Sequence, residues 1–246
     1  MPDIHIFDTP REAAQSLAAE MAQAIRASGR IVLGLATGGT PIPLYQELVR
    51  LHREENLSFR HVTTFNLDEY LGLPREHPES YWAFMHRNLF DHIDVLPENI
   101  HLPCGTVAAE DVESHCAEYE AKIHEAGGID FQILGIGRTG HIGFNEPGTP
   151  IDARTLRIHL DEITRQDAAP AFGGIEHVPT EAITMGCGTI LDARRIVLMA
   201  WGSQKAEIVR HAIKGPVTDQ VSASFLQTHP QAAFYLDRES AAALES

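Results

Sequence analysis

The chain has 246 residues, of which 43% are hydrophobic and 22% charged, and a formal net charge of −15 at pH 7. This composition is ordinary for a globular protein, and the length is normal for a single α/β domain. The charge argues against a nucleic-acid partner, which needs clustered Lys and Arg, and it means that local donors must hold any anionic substrate.

The sequence contains no apolar run of membrane-spanning length and no signal peptide at its start. The three cysteines, Cys104, Cys116 and Cys187, are odd in number and share no ligand spacing, so they suggest neither a disulfide framework nor a zinc site. We therefore expect a cytoplasmic protein with reduced cysteines and no membrane partner.

Strand-like and helix-like segments alternate along the whole chain. The predicted strands are residues 31–36, 62–66, 131–135, 195–200 and 232–236, and the predicted helices are residues 10–28, 41–54, 80–92, 111–126 and 203–213. This alternation predicts an α/β fold with a doubly wound, mostly parallel sheet and helices on both faces, formed by one domain over residues 1–246. Ligands of such folds bind beyond the carboxyl ends of the strands.

The first predicted strand leads into Thr37-Gly38-Gly39-Thr40-Pro41. Thr40 suits the N-cap and Pro41 the first position of the next helix. Free N–H groups at a helix start form an anion site, which the two glycines leave open to a phosphate and the two hydroxyls extend. A purely structural tight turn explains these residues equally well, and the Walker A ending is missing.

Other polar residues follow later strands. Asp68 and Glu69 come just after residues 62–66, and they are either solvated loop charges or include a general base in a cleft. Lys205, just past residues 195–200, adds a cation at the same edge of the sheet. For an isolated lysine, an exposed helix-start position is the commoner case.

The segment after the central strand, residues 135–148, reads Gly-Ile-Gly-Arg-Thr-Gly-His-Ile-Gly-Phe-Asn-Glu-Pro-Gly. Histidine is the side chain type that titrates near neutrality, and Glu146 follows His141 closely enough to orient it as an acid–base pair requires. The same segment matches the dinucleotide fingerprint Gly-x-Gly-x-x-Gly. The residues that follow cannot continue as the helix that this fingerprint needs, which argues against nicotinamide binding.

Together these segments resemble the glucosamine-6-phosphate deaminase (isomerase) family. The motifs include Leu-Gly-Leu-Ala-Thr-Gly-Gly-Thr-Pro at 33–41, Phe-Asn-Leu-Asp-Glu-Tyr-Leu-Gly-Leu at 65–73 and Gly-His-Ile-Gly-Phe-Asn-Glu-Pro-Gly at 140–148, with further matches at 77–81, 178–186, 202–206 and 224–229. They occur in order over nearly the whole chain. The resemblance implies conversion of glucosamine 6-phosphate into fructose 6-phosphate and ammonia, without a redox cofactor or a metal.

The family also implies roles for the residues already singled out. By similarity, His141 moves the proton that opens the pyranose ring, and Glu146 holds and polarises it. Asp68 carries a proton between C2 and C1 through an enediol-type intermediate, since one carboxylate can accept and return it. The 37–40 loop and Lys205 hold the phosphate, whose binding positions the reacting carbons.

Two departures from the family pattern concern this site. Thr139 stands where the family usually has Asp or Asn, and a hydroxyl cannot stabilise an imidazolium as a carboxylate does, although it remains a candidate catalytic residue. The usual phosphate-binding arginine is absent from residues 169–172, Ala-Pro-Ala-Phe. Arg138 is the first candidate to replace it and Arg165 the second; alternatively, the bound anion is not a 6-phosphate.

A third departure concerns regulation. Leu156 and Ile158 occupy the positions of a basic cluster in allosteric members, and the chain ends soon after Asp237. We therefore expect no activation by an N-acetylated sugar phosphate. The family forms both monomers and hexamers, so the sequence leaves a homo-oligomer open.

Several other functions also stay open. A galactosamine-6-phosphate isomerase and a 6-phosphogluconolactonase-like hydrolase fit the same fold. A sugar-phosphate-binding pseudoenzyme fits the missing arginine, whereas retention of Asp68, His141, Glu146 and Lys205 favours an active enzyme. A transcriptional sugar-phosphate sensor would need a helix-turn-helix module and a basic face. We predict an enzyme that acts on a small amino-sugar phosphate.

Overall fold

The computed structural model describes residues 2–244. Its strands and helices, in chain order, are β1 (Asp3–Phe7), α1 (Pro10–Ala27), β2 (Ile31–Leu35), α2 (Ile42–Glu55), β3 (Val62–Asn66), β4 (Asp68–Tyr70), α3 (Tyr81–Asn88), β5 (Ile100–His101), α4 (Val112–Glu125), β6 (Phe131–Leu134), β7 (Leu156–His159), α5 (Glu162–Phe172), β8 (Glu181–Thr184), α6 (Cys187–Leu191), β9 (Arg195–Ala200), α7 (Ala206–Lys214), β10 (Ala232–Asp237) and α8 (Arg238–Ala241).

Seven parallel strands form the central sheet in the order β1-β10-β9-β6-β2-β3-β5. From β2 the chain builds outward to β3 and β5, and it then returns to β6 and continues the other way to β9 and β10. Because crossovers between parallel strands are right-handed, this reversal places α1 and α2 on one face and α4 and α7 on the other. The strand order therefore has its switch point between β2 and β6, where such folds bind ligands.

The predicted fold class is confirmed. All five predicted strands lie in the central sheet, each within one residue of its predicted bounds. Strands β2, β6 and β10 are buried along their whole length, as expected for a sheet covered on both faces. The short edge strands β1 and β5 were not predicted.

Two predicted helices are shorter than expected. The segment 80–92 is helical only to Asn88, because Leu89 leaves the helical region at φ −142° and a 3₁₀ turn follows at Phe90–His92. The segment 203–213 begins with a 3₁₀ turn, Ser203–Lys205, and α7 starts at Ala206. The other three predicted helices agree with α1, α2 and α4 to within one residue at each end.

A second, three-stranded antiparallel sheet, β4-β8-β7, lies beside the central one and was not predicted. In it Asp68 is paired with Thr184, so β4 turns the chain aside directly after β3. Helix α5 was also not predicted, and it contains Pro170 in its last turn. Across residues 2–244, none of the helices has the length and apolar character that a membrane crossing requires. The three cysteines are unpaired thiols.

Candidate active site

The loops that follow β2 and β6 meet at the switch point of the sheet and enclose a cavity of about 320 Å³. Most of the predicted site residues line this cavity, namely Thr37, Gly38, Gly39, Thr40, Asp68, His141 and Lys205. Arg138, Thr139 and Glu146 do not line it, although Thr139 and Glu146 contact His141. The structure thus brings together predicted site residues from four separate parts of the chain: residues 37–40, Asp68, residues 139–146 and Lys205.

The 37–40 loop precedes the N-terminus of α2. The predicted helix start is wrong by one residue: Pro41 occupies the N-cap, α2 begins at Ile42, and no side chain caps it. The Thr40 hydroxyl is therefore not used as a cap. Gly38 has φ +91°, a conformation that glycine adopts readily, and the indole Nε1 of Trp201 donates to the Thr40 carbonyl at 2.9 Å. The open helix start is a suitable site for an anion.

His141 and Glu146 form a hydrogen-bonded pair, with 3.1 Å between Nδ1 and Oε2 and little exposure of either side chain. An ionised carboxylate only accepts hydrogen bonds, so Nδ1 carries the hydrogen and Nε2 holds the lone pair. A Cβ atom on Gly137 would lie 2.1 Å from Nε2, so glycine is needed there to admit the imidazole. The pairing leaves Nε2 as the basic atom of the ring.

Thr139 lies at the same imidazole nitrogen, with its hydroxyl oxygen 2.9 Å from Nδ1. Because Nδ1 has only one hydrogen, Thr139 and Glu146 share it as acceptors. Burial alone would raise the pKa of Glu146. Its hydrogen bond to His141 and the charge of that histidine, followed by bonds from Thr164 and the Asp161 N–H, hold the pKa below its ordinary value.

Asp68 and Glu69 are both buried, which excludes the interpretation of solvated loop charges. Glu69 accepts the N–H groups of Tyr70, Tyr81 and Trp82 at 2.9–3.0 Å and so caps the start of α3. Asp68 faces the cavity, and within residues 2–244 no group donates a hydrogen bond to its carboxylate. Burial, and then the charge of Glu69, raise the pKa of Asp68 well above its ordinary value. Of the two acids, only Asp68 lines the cavity, where a general base must lie to reach a ligand.

Lys205 enters the cavity from the turn before α7. Its Nζ donates to the Ile136 carbonyl at 2.8 Å, and burial lowers its pKa. The turn is held by Asp237, whose carboxylate accepts the Gly202 N–H at 3.0 and 3.1 Å and the Ser240 N–H at 2.8 Å. The Lys205 side chain therefore lines the same cavity as the 37–40 loop and is held there by its bond to Ile136.

The two arginines considered for the phosphate lie elsewhere. Arg138 is at the rim, where it pairs with Asp167 at 2.8 Å and remains 60% exposed. Arg165 points away from the cavity and donates to the carbonyls of Ile175 and Val178 at 2.9 and 3.1 Å. Of these two arginines, only Arg138 contacts a residue that lines the cavity, Asp167.

Sequence reasoning assigned no role to two polar side chains that line the cavity, those of Tyr81 and Asp167. Tyr81 lies at the end of the matched motif at 77–81, which was a usable signal. Asp167 had none, because α5 was not predicted. Within the described part of the chain, no group of three or more His, Cys, Asp or Glu side chains is arranged to hold a metal ion.

A loop suited to an anion, a buried carboxylate and a histidine paired with a glutamate behind it meet at one cavity, and they define a class of α/β enzyme that performs acid–base chemistry on a small anionic ligand. Comparison with known proteins narrows this class. The sequence profile of the glucosamine-6-phosphate isomerase/6-phosphogluconolactonase family matches residues 8–235, and the chain belongs to this family.

Full-length relatives include the glucosamine-6-phosphate deaminases of Hahella chejuensis, 48% identical over 98% of this chain and 91% of that protein, and of Alkaliphilus oremlandii, 46% identical over 98% and 99%. Among solved structures, a monomeric glucosamine-6-phosphate deaminase superposes with a TM-score of 0.95 at 44% identity, covering 98% of this chain and 99% of that one. The 6-phosphogluconolactonase of Trypanosoma brucei, with a TM-score of 0.79 at 21% identity over 99% of both chains, shares the fold.

Proposed function

We propose that this protein is a glucosamine-6-phosphate deaminase, which converts glucosamine 6-phosphate and water into fructose 6-phosphate and ammonia. The observation that carries this proposal is the placement of Asp68 and of His141, which is paired with Glu146, in one cavity with the 37–40 loop and Lys205. The full-length deaminase relatives support the same reaction.

The phosphate end of the substrate fits the 37–40 loop. Backbone N–H groups at the start of α2 and the hydroxyls of Thr37 and Thr40 donate to the phosphate oxygens, and the Lys205 ammonium supplies a charge. Because the net charge of −15 repels an anion, these local donors must provide the attraction. Held at this end, the sugar ring extends towards Asp68 and His141.

His141 opens the ring. The lone pair on Nε2 accepts the proton of the C1 hydroxyl. The imidazolium then delivers a proton to the ring oxygen of the sugar as the bond between C1 and that oxygen breaks. Glu146 stabilises the imidazolium formed between these steps, because its carboxylate stays on Nδ1 throughout. Thr139 adds a second oxygen at the same nitrogen but no charge.

Asp68 performs the isomerisation. It removes the proton from C2 of the open-chain aldehyde and returns it to C1, while the aldehyde oxygen gains a proton and the amino nitrogen loses one, which leaves a hydroxyl at C1 and an imine at C2. Water adds to this imine, and the C–N bond breaks to give the ketone and ammonia. A carboxylate with a raised pKa is suited to the first step, since it binds a proton more strongly than an ordinary aspartate does.

The test is ammonia release from glucosamine 6-phosphate by wild type and by His141→Ala, with His159→Ala, whose side chain is 84% exposed, as the matched control. Glucosamine without phosphate tests whether the reaction requires the phosphate, and galactosamine 6-phosphate tests which sugar epimer the enzyme accepts. We expect release that requires both the phosphate and His141, with His159→Ala active.

Folded wild type that releases no ammonia from glucosamine 6-phosphate would contradict the proposal. Binding of that sugar without turnover would then identify a pseudoenzyme, and hydrolysis of 6-phosphogluconolactone would identify a lactonase.

We further propose that the reaction takes place in the cytoplasm, as part of amino-sugar breakdown. The three unpaired thiols support a reducing compartment.

A further inference from the structure

Glu146 needs more than one partner, because it is a buried carboxylate. Only 6% of its surface is exposed, and a buried charge is costly unless hydrogen bonds satisfy it. Its two oxygens have separate partners. Oε2 accepts from His141, whereas Oε1 accepts the Thr164 hydroxyl at 2.6 Å and the Asp161 N–H at 3.1 Å.

Thr164 is not required for the helix in which it lies. The start of α5 is capped by the Asp161 side chain, which accepts the Ile163 N–H at 2.8 Å. A threonine in a helix commonly bonds to its own preceding turn, but the hydroxyl of Thr164 donates instead to Glu146, eighteen residues earlier in the chain. Of all α5 residues, only Thr164 is buried. Its contact therefore serves the carboxylate.

We propose that Thr164 is a positioning residue of the catalytic site: its hydroxyl fixes Oε1 of Glu146 so that Oε2 stays on His141 Nδ1. The length of 2.6 Å is that of a strong, charge-assisted O–H···O bond. Without it, Oε1 keeps one backbone donor, and the carboxyl group is free to rotate away from the imidazole. This inference rests on the proposed deaminase function for its kinetic readout.

The same bond affects protonation. The Thr164 hydroxyl is one of the donors that favour ionised Glu146, after the hydrogen bond and charge of His141. Removing a donor to a carboxylate raises its pKa. Glu146 would then take up a proton at higher pH, and a protonated Glu146 cannot stabilise an imidazolium. The acid limb of the kcat/KM profile, where activity falls as Glu146 is protonated, would therefore move to higher pH.

The experiment compares wild type, Thr164→Val, which keeps the shape, and Thr164→Ser, which restores the hydroxyl. Thr189→Val is the matched control, because Thr189 is also buried and donates at 2.6 Å to a glutamate, Glu120, away from the cavity. We expect Thr164→Val to lower kcat about tenfold or more with little change in KM, and to shift the acid limb upward. Thr164→Ser and Thr189→Val should resemble wild type.

A second readout does not depend on turnover. The proton between His141 Nδ1 and Glu146 should give a downfield NMR resonance in wild type and in Thr164→Ser that is lost or shifted upfield in Thr164→Val. An unchanged resonance and pH profile in folded Thr164→Val would overturn the inference. Wild type that shows the resonance but releases no ammonia would instead contradict the proposed function, and the inference would then be decided by the resonance alone.

Discussion

Asp68 and Glu69 are chemically similar neighbours with different tasks. Successive residues of a strand point to opposite faces, so β4 directs Asp68 into the cavity and Glu69 to the start of α3. The sequence located both acids at a strand end but could not separate them, because β4 has only three residues and its direction is set by pairing with β8. The raised pKa of Asp68 follows from this placement.

Replacing Asp68 by asparagine should abolish ammonia release and also stabilise the protein. A buried aspartate with a raised pKa lowers stability as the pH rises above its ordinary pKa, because ionisation is less favourable in the folded state. Asp68→Asn should therefore melt higher than wild type at neutral pH, by about 2–4 °C per kcal/mol relieved. The difference should disappear below the ordinary pKa of aspartate.

Differential scanning calorimetry at neutral and acid pH measures this effect. Asp152→Asn, a change of an exposed aspartate, serves as the control and should leave the melting temperature unchanged. Equal melting temperatures of wild type and Asp68→Asn at neutral pH would contradict the prediction.

Arg138→Ala addresses the missing phosphate-binding arginine. Arg138 is paired only with an exposed carboxylate at the cavity rim, and such pairs contribute about 0–1 kcal/mol, so a phosphate can compete for the guanidinium. If Arg138 binds the phosphate, its removal should raise KM or lower kcat/KM about tenfold or more, as expected for a charged hydrogen bond. Steady-state kinetics measure this, with Arg154→Ala as control. Unchanged kinetics would exclude the role.

At the scale of elements, the sequence predicted those whose burial pattern is strong. Strands β2, β9 and β10 are mostly apolar, and α1, α2 and α4 each bury apolar residues along one face. Helix α5 lacks this signal, since only Thr164 is buried and Pro170 interrupts its sequence. The second sheet was missed because β4, β7 and β8 have three or four residues each and gain their pairing from distant segments.

The turn that carries Lys205 depends on a contact from another element. Asp237, at the end of β10, binds the Gly202 N–H through both carboxylate oxygens. Asp237→Ala should therefore displace Lys205 and raise KM about tenfold, with little change in kcat, because the acid–base groups are untouched. Ser240→Ala removes a neighbouring hydroxyl contact to Ala200 and is the control. Inhibition constants for inorganic phosphate should change in parallel; an unchanged KM would contradict the prediction.

For the whole molecule, the alternation of strand-like and helix-like segments predicted the fold class and the edge of the sheet at which the site lies. The cavity itself could not be predicted, because it combines residues from Thr37 to Lys205 that meet only through the pairing of β3, β2, β6 and β9 in the sheet. The motifs identified most of the polar residues that line the cavity, and the sheet determines the distances between them.

The net charge gives a prediction for the complete molecule. A charge of −15 repels a phosphorylated substrate at long range, and salt weakens this repulsion as the Debye length falls to about 10 Å at 0.1 M. At low ionic strength, kcat/KM should therefore rise when NaCl is added, while kcat stays constant. A steady fall of kcat/KM over the same range would show that the positive field of the cavity dominates the approach.

The hydrogen bond from Trp201 to Thr40 also links the site to a fluorescent side chain. The chain has only two tryptophans. The indole of Trp201 is hydrogen-bonded to the 37–40 loop, whereas Trp82 lies on α3 with its ring against the Arg75 guanidinium. The emission of Trp201 should respond when the 37–40 loop receives a phosphate. Trp82 provides a second emitter, which Trp82→Phe removes. Ligand binding should therefore be measurable from the intrinsic fluorescence of the unlabelled protein.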